Sequence, residues 1–215
     1  MKSINLLGLL IVIIFCAHCN KEIGIKGPNQ YVVFPYAYKS DGSNALKDSF
    51  YLAAYQDTVL NYGMAFTPSK NGKVYLLAFK LATTPPPPDN QVVLYLVDIA
   101  ANQIMYSTAL AYPGPDFYRK DLTTAGNEIT VEKGRSYMVC VYTPILNPAV
   151  AGNYFLPSFR IFRKDQTPII PFTEGEITVT CFFKSYPSNP SIPSIPIEDT
   201  NGLYGLLDLG YYSTD

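Results

Sequence analysis

The chain has 215 residues, with 16 basic and 17 acidic side chains, 18 Tyr, 18 Pro, 14 Gly, 4 Cys, one His and no Trp. That is the size of one domain, long enough to bury a core without disulfide staples. A formal charge of −1 with no block of like charges gives no footprint for nucleic acid, and a single histidine leaves little room for His-based catalysis.

At the N-terminus Met1-Lys2-Ser3 carries one positive charge, and Ile4 to Phe15 is an apolar run whose one polar residue is Asn5. A spanning helix needs about 20 apolar residues, so a shorter run reads as the core of a signal peptide. Cys16-Ala17-His18-Cys19 follows, then the polar Asn20-Lys21-Glu22. A cysteine placed between such a core and a polar segment resembles a bacterial lipoprotein signal, of the kind found in Bacteroidota. The resemblance implies cleavage after His18, a diacylglyceryl thioether on Cys19, and a bilayer as partner through that acylated cysteine. Cys19 fits better than Cys16 because polar residues follow it. The usual small residue before the cysteine is replaced by His18, and an ordinary cleaved secretory signal or an uncleaved short anchor is the alternative. The expected organisation is a signal peptide over 1–18, a tether over 19–30 and one folded domain over 31–215. Removal of 1–18 takes away the only histidine and Lys2, leaving 15 basic against 17 acidic side chains. The expected location is the cell envelope, on the outer membrane.

Beyond residue 30 no helical stripe is found; short β-rich runs alternate with turn residues. Lys73 to Leu81 follows the turn dipeptide Asn71-Gly72. Gln91 to Ile99 and Gln103 to Ala111 flank Ala100-Ala101-Asn102, predicting a hairpin. Ile129 to Val131 and Arg135 to Thr143 flank Glu132-Lys133-Gly134, predicting another. Glu176 to Lys184 alternates, placing Ile177, Val179, Cys181 and Phe183 on one face. Leu203 to Tyr212 would close the domain. About nine such strands without intervening helices predict an all-β, antiparallel sandwich or jelly roll. Pro85 to Pro88 reads as a stiff loop, and the Pro/Ser-rich Ser185 to Thr200 as an extended surface crossing with no ladder of its own.

Three segments carry a wider resemblance: Tyr62-Gly-Met-Ala-Phe-Thr-Pro-Ser-Lys-Asn-Gly-Lys-Val-Tyr-Leu76, Val92-Val-Leu-Tyr-Leu-Val-Asp98 and Val131-Glu-Lys-Gly-Arg-Ser-Tyr-Met-Val139. With the closing Gly202-Leu-Tyr-Gly-Leu-Leu-Asp-Leu-Gly-Tyr211, they resemble a bacterial family of secreted β-sandwich domains of unknown function. Leu96-Val97 stands where that family tends to have Trp before the aspartate. The resemblance implies the fold and an extracytoplasmic setting, and no catalytic residue.

No Gly-x-Ser-x-Gly, Ser-x-x-Lys, P-loop or Gly-x-Gly-x-x-Gly occurs, and after Cys19 no Cys-x-x-Cys or His pair, so no cofactor and no metal site is expected. Carboxylates that could pair for glycoside hydrolysis are Asp57, Asp98, Asp116, Asp121, Glu174, Glu176 and Asp208. Cys140 and Cys181 fall inside predicted strands, where buried free thiols are favoured over a disulfide. Tyr112, Phe117, Tyr118, Asn153 and Tyr154 fall near loops rich in Pro, Gly and Asn and are the candidate ligand contacts. The strand residues Tyr75, Tyr95, Tyr137 and Tyr142 read as structural. The expected function is a non-catalytic binding or surface-architecture module with a glycan or envelope-protein partner. The alternatives are a carbohydrate-active hydrolase and a structural subunit of an envelope or adhesin complex.

Overall fold

The computed structural model describes residues 31–32, 50–55, 61–80, 91–111, 117–142, 158–163, 165–186, 190–204 and 207–215. In chain order the strands are β1 (Tyr31–Val32), β2 (Phe50–Tyr55), β3 (Asn61–Pro68), β4 (Gly72–Lys80), β5 (Gln91–Asp98), β6 (Gln103–Ala111), β7 (Phe117–Asp121) and β8 (Ile129–Val131). Then follow β9 (Tyr137–Tyr142), β10 (Ser158–Arg163), β11 (Phe172–Glu174), β12 (Ile177–Ser185), β13 (Ile195–Ile197), β14 (Gly202–Tyr204) and β15 (Leu207–Ser213). The only helix among the described residues is a 3-10 turn at Thr123–Ala125. The count exceeds the nine expected because several strands are only two or three residues long.

All pairings are antiparallel. A seven-stranded sheet runs β11-β12-β3-β9-β5-β6, with β13 also on β12. A five-stranded sheet runs β1-β15-β4-β7, with β8 also on β4. A third, β14-β10-β2, has three strands. The two larger sheets share one core: Met64, Phe66, Leu94, Leu96, Val139, Ile177 and Val179 from one meet Val74, Leu77, Phe79, Leu207, Leu209 and Tyr211 from the other. Side chains interdigitating from two sheets in this way define a β-sandwich.

The hairpin β5–β6 forms as expected, with Asn102 in the left-handed region (φ 50°) and its amide bonded to the Ile99 carbonyl. The other two turns carry the chain between sheets instead. Asn71-Gly72 links β3 of one sheet to β4 of the other, and Glu132 to Gly134 links β8 to β9. The second is therefore not the hairpin its sequence predicts. The crossings lie side by side: the Lys133 amide donates to Asn71 Oδ1, and the Gly134 amide donates to the Pro68 carbonyl. Turn chemistry sets a reversal of direction, while core burial on both flanking strands decides which sheet each one joins.

Two irregularities redirect side chains. In β12 the register shifts between Val179 and Cys181, so Thr180 is an extra residue. Ile177 and Val179 face the shared core; past the bulge Phe182 does so, opposite Met64, while Cys181 and Phe183 turn outward opposite Ala65 and Gly63. This corrects the expectation that Cys181 and Phe183 continue the inner face. In β4 Val74 pairs with Tyr211 and Leu76 with Gly210, leaving Tyr75 as the extra residue. Its carbonyl is bonded by the Leu122 amide. Part of the Pro/Ser-rich crossing forms a ladder after all, since β13 pairs with β12 and places Pro196 opposite Phe183. An outermost strand tolerates a proline because no further strand needs its amide.

Candidate functional site

The outer face of the seven-stranded sheet holds a second cluster, made of Tyr95, Val97, Met138, Cys140 and Tyr142 with Val93, Ile99, Phe183 and Ile192 against it. Gly63 permits it, because a Cβ there would lie 2.1 Å from Met138 Sδ and 3.3 Å from Cys140 Sγ. Tyr95 Oη lies 2.7 Å from Asn61 Oδ1 and 2.7 Å from the Ser191 carbonyl oxygen. Burial and the neighbouring Cys140 push the Tyr95 phenol far above its ordinary range, so it remains a neutral donor. Cys140 and Cys181 are free thiols on the two strands that flank β3. Burial pushes both thiols up, Cys140 well above the ordinary value. Since the thiolate is the nucleophile, Cys140 is expected to stay unalkylated in the native protein at pH 8 and to react after denaturation. Mapping of the modified cysteines by mass spectrometry checks this, and native labelling of Cys140 would contradict its burial.

The candidate carboxylates within the described residues are held by their own surroundings. Asp98 is buried and paired with Arg135, and its Oδ1 accepts the Ala101 amide at 3.0 Å. Burial pushes this carboxyl up, but the Ala101 amide and the Arg135 guanidinium outweigh it and hold it below the ordinary aspartate value. Asp121 accepts the Thr123 amide and hydroxyl at 2.8 and 2.6 Å. These bonds, the hydroxyl's first, also pull its carboxyl down. Glu176 is bridged by Lys70 at 2.6 Å, and Asp208 Oδ1 accepts the Leu209 amide at 2.8 Å. Glu174 lies in β11 opposite Ile177.

A lowered folded-state pKa stabilises the fold above the unfolded value, and this stabilisation is lost as pH falls through the folded one. Asp98 therefore contributes to stability above its ordinary pKa of 3.8 and ceases to do so under stronger acid. Asp98→Asn is expected to destabilise at pH 7 and to flatten the acid side of a stability–pH profile measured by urea unfolding. A variant as acid-sensitive as the wild type would contradict this.

The remaining arrangement lies on the outer face of the five-stranded sheet. Leu209 and Tyr211 point into the core, so Gly210 and Tyr212 point out. Tyr75 lies over Gly210, where a Cβ would come within 2.5 Å of Tyr75 Cζ and 2.8 Å of Leu76 Cβ. The Tyr75 and Tyr212 rings are 6.1 Å apart between centroids and tilted by 38°. Beside them Lys73, opposite Tyr212 in the ladder, donates to Glu128 Oε2 at 3.2 Å. Glu128 and Tyr212 hold the Lys73 ammonium above its ordinary value, and burial followed by Glu128 pushes the Tyr212 phenol up. Tyr75, Tyr212, Lys73 and Glu128 are all half-exposed. The result is two neighbouring rings edged by a fixed cation and anion.

Compared with known proteins, the chain matches no protein-family model, and no curated protein matches it. Of the residues singled out from sequence as ligand contacts, Phe117 and Tyr118 belong to β7, opposite Lys80 and Phe79. Tyr112, Asn153 and Tyr154 lie outside the described residues, as do Cys19, Asp57, Asp116 and Pro85 to Pro88. Among the described residues no three His, Cys, Asp or Glu side chains gather as metal ligands would. The Tyr75–Tyr212 surface escaped the sequence reading, which placed Tyr75 among structural strand residues. The available signal was the glycine in Leu209-Gly210-Tyr211-Tyr212, an absent side chain next to an outward tyrosine.

Proposed function

We propose that this chain is the folded domain of an extracytoplasmic lipoprotein, anchored through Cys19, that binds glycans without catalysis. The observation that carries the reading is the paired Tyr75 and Tyr212 rings beside the Lys73–Glu128 ion pair. A pyranose presents an apolar C–H face that stacks on a tyrosine ring, and hydroxyls that accept from an ammonium and donate to a carboxylate. The half-exposed rings sit on paired strands of the sheet, so little side-chain freedom is lost on binding. The tether is argued from the sequence around Cys19 and from the stable anchoring that several acyl chains give.

Calorimetric titration of the purified protein with a panel of neutral oligosaccharides tests the site. Tyr75→Ala and Tyr212→Ala are each expected to weaken binding by about 3–10-fold, the scale of one aromatic contact of roughly 0.5–1.5 kcal/mol. Gly210→Ala forces the Tyr75 ring off its seat; it is expected to weaken binding similarly and to cost about 1–3 kcal/mol of stability. Binding that is indifferent to all three substitutions, or no binding across the panel, would overturn the reading. For the anchor, Cys19→Ala is expected to release the protein from the membrane fraction.

A further inference from the structure

The edges of the two facing sheets are treated unequally. On the seven-stranded sheet β11 and β13 are three residues long, and β13 contains Pro196. On the five-stranded sheet β1 has two residues, β8 three, and β7 carries Arg119, Lys120 and Asp121. Short length, proline and charge are the usual means by which an edge is kept from pairing with another chain. β6 has none of them. It is nine residues long, Gln-Ile-Met-Tyr-Ser-Thr-Ala-Leu-Ala, without charge or proline. Among the described residues it is paired on one side alone, with β5. Ile104 and Met105 at its start are exposed at 39% and 38%.

The sequence of β6 is also complementary to itself. Its register on β5 breaks at Met105, which opposes no residue, and runs regularly from Tyr106 to Ala111. Tyr106, Thr108 and Leu110 stand opposite Leu96, Leu94 and Val92 and so share the core-facing side. A two-fold axis perpendicular to the sheet keeps core side against core side only if it passes beside a residue, since opposed residues share a face. An axis at Thr108 sets Tyr106 against Leu110 of the copy, Ser107 against Ala109 and Thr108 against itself. Those are an aromatic–aliphatic pair, a small pair and a Thr–Thr pair, all favourable across antiparallel strands. Tyr106 and Leu110 already pack on the core, so the pairing would prolong that core into the second copy. No charge on β6 opposes it.

We propose that β6 is a self-association site: two copies of the chain join through antiparallel addition of β6 to β6, centred on Thr108, to make one continuous sheet. The pairing is isologous and closes at two copies.

Sedimentation equilibrium of the purified protein over a range of concentrations tests it. The expected result is a reversible monomer–dimer equilibrium. Ser107→Lys and Ala109→Glu alone each oppose a charge to a small neutral residue at two symmetric points, and Thr108→Lys places two cations together on the axis. The Thr108 substitution is expected to raise the dissociation constant at least tenfold, with far-UV circular dichroism unchanged. The double substitution S107K/A109E sets each new cation opposite a new anion in this register alone, and is expected to dimerise more tightly than S107K or A109E. A protein monomeric at every concentration overturns the proposal. So does a dimer indifferent to T108K, a double variant no tighter than the single ones, or association that continues past two copies.

Discussion

Phe66→Ala is expected to cost about 3–5 kcal/mol, the loss that follows when a large aromatic is deleted from a core that cannot collapse around the space. Phe66 is fully buried in β3, where it pairs with Val179 of β12 and Tyr137 of β9. Its ring lies 5.8 Å from that of Tyr137. The strands on both sides hold their positions through ladder hydrogen bonds, so little can move in to fill the cavity. For a domain of this size each kcal/mol lowers the melting temperature by roughly 2–4 °C, giving a fall of roughly 6–20 °C. Thr130→Ala, at an exposed position of β8, is expected to stay within about 0.5 kcal/mol. Urea unfolding followed by circular dichroism measures both. A cost under about 1 kcal/mol for Phe66→Ala would mean that the two sheets do not share the core described above.

The second large effect concerns Tyr95, which is buried on the opposite face of the same sheet. A phenol has one proton, and Tyr95 Oη meets both the Asn61 side-chain amide and the Ser191 carbonyl. Both oxygens accept from the Tyr95 hydroxyl, so its single proton is shared between Asn61 Oδ1 and the Ser191 carbonyl. Tyr95→Phe keeps the ring and removes this link, leaving a buried amide and a carbonyl short of partners; the expected cost is about 1–3 kcal/mol. Tyr95→Ala also empties the outer cluster, and about 3–5 kcal/mol is expected. A double-mutant cycle with Asn61→Ala checks the mechanism, because directly bonded residues couple by about 0.5–3 kcal/mol. Additive losses would show that Asn61 and Tyr95 act independently.

Local chemistry made part of this fold readable. The β5–β6 hairpin follows from Asn102, a residue type that tolerates the left-handed conformation it adopts (φ 50°). The antiparallel, helix-free character follows from the alternation of short apolar runs with turns. The partner of each strand was not readable in the same way. Glu132-Lys133-Gly134 reverses the chain as its residues suggest, yet β8 and β9 end in different sheets because each buries its apolar side against different neighbours. Single inserted residues were likewise invisible to a period of two. Thr180 in β12 and Tyr75 in β4 each swap the faces of the residues beyond them. The outward tyrosine surface depends on the second of these. It unites residues from β4 and β15, separated by more than a hundred positions, which no local pattern could place together.

The five-stranded sheet also fixes an order of events during synthesis. β15 lies between β1 and β4, pairing Tyr31 with Tyr211 and Leu77 with Leu209. It follows in the chain every strand to which it is joined, and it brings Leu207, Leu209 and Tyr211 to the shared core. Until Leu207–Ser213 has emerged, β1 has no partner among the described strands and β4 lacks one flank. Pairings of such long sequence separation form slowly, since the closure entropy is spent before the contacts repay it. A nascent chain built this way cannot complete the five-stranded sheet, or close the shared core over it, before its last strand has been made.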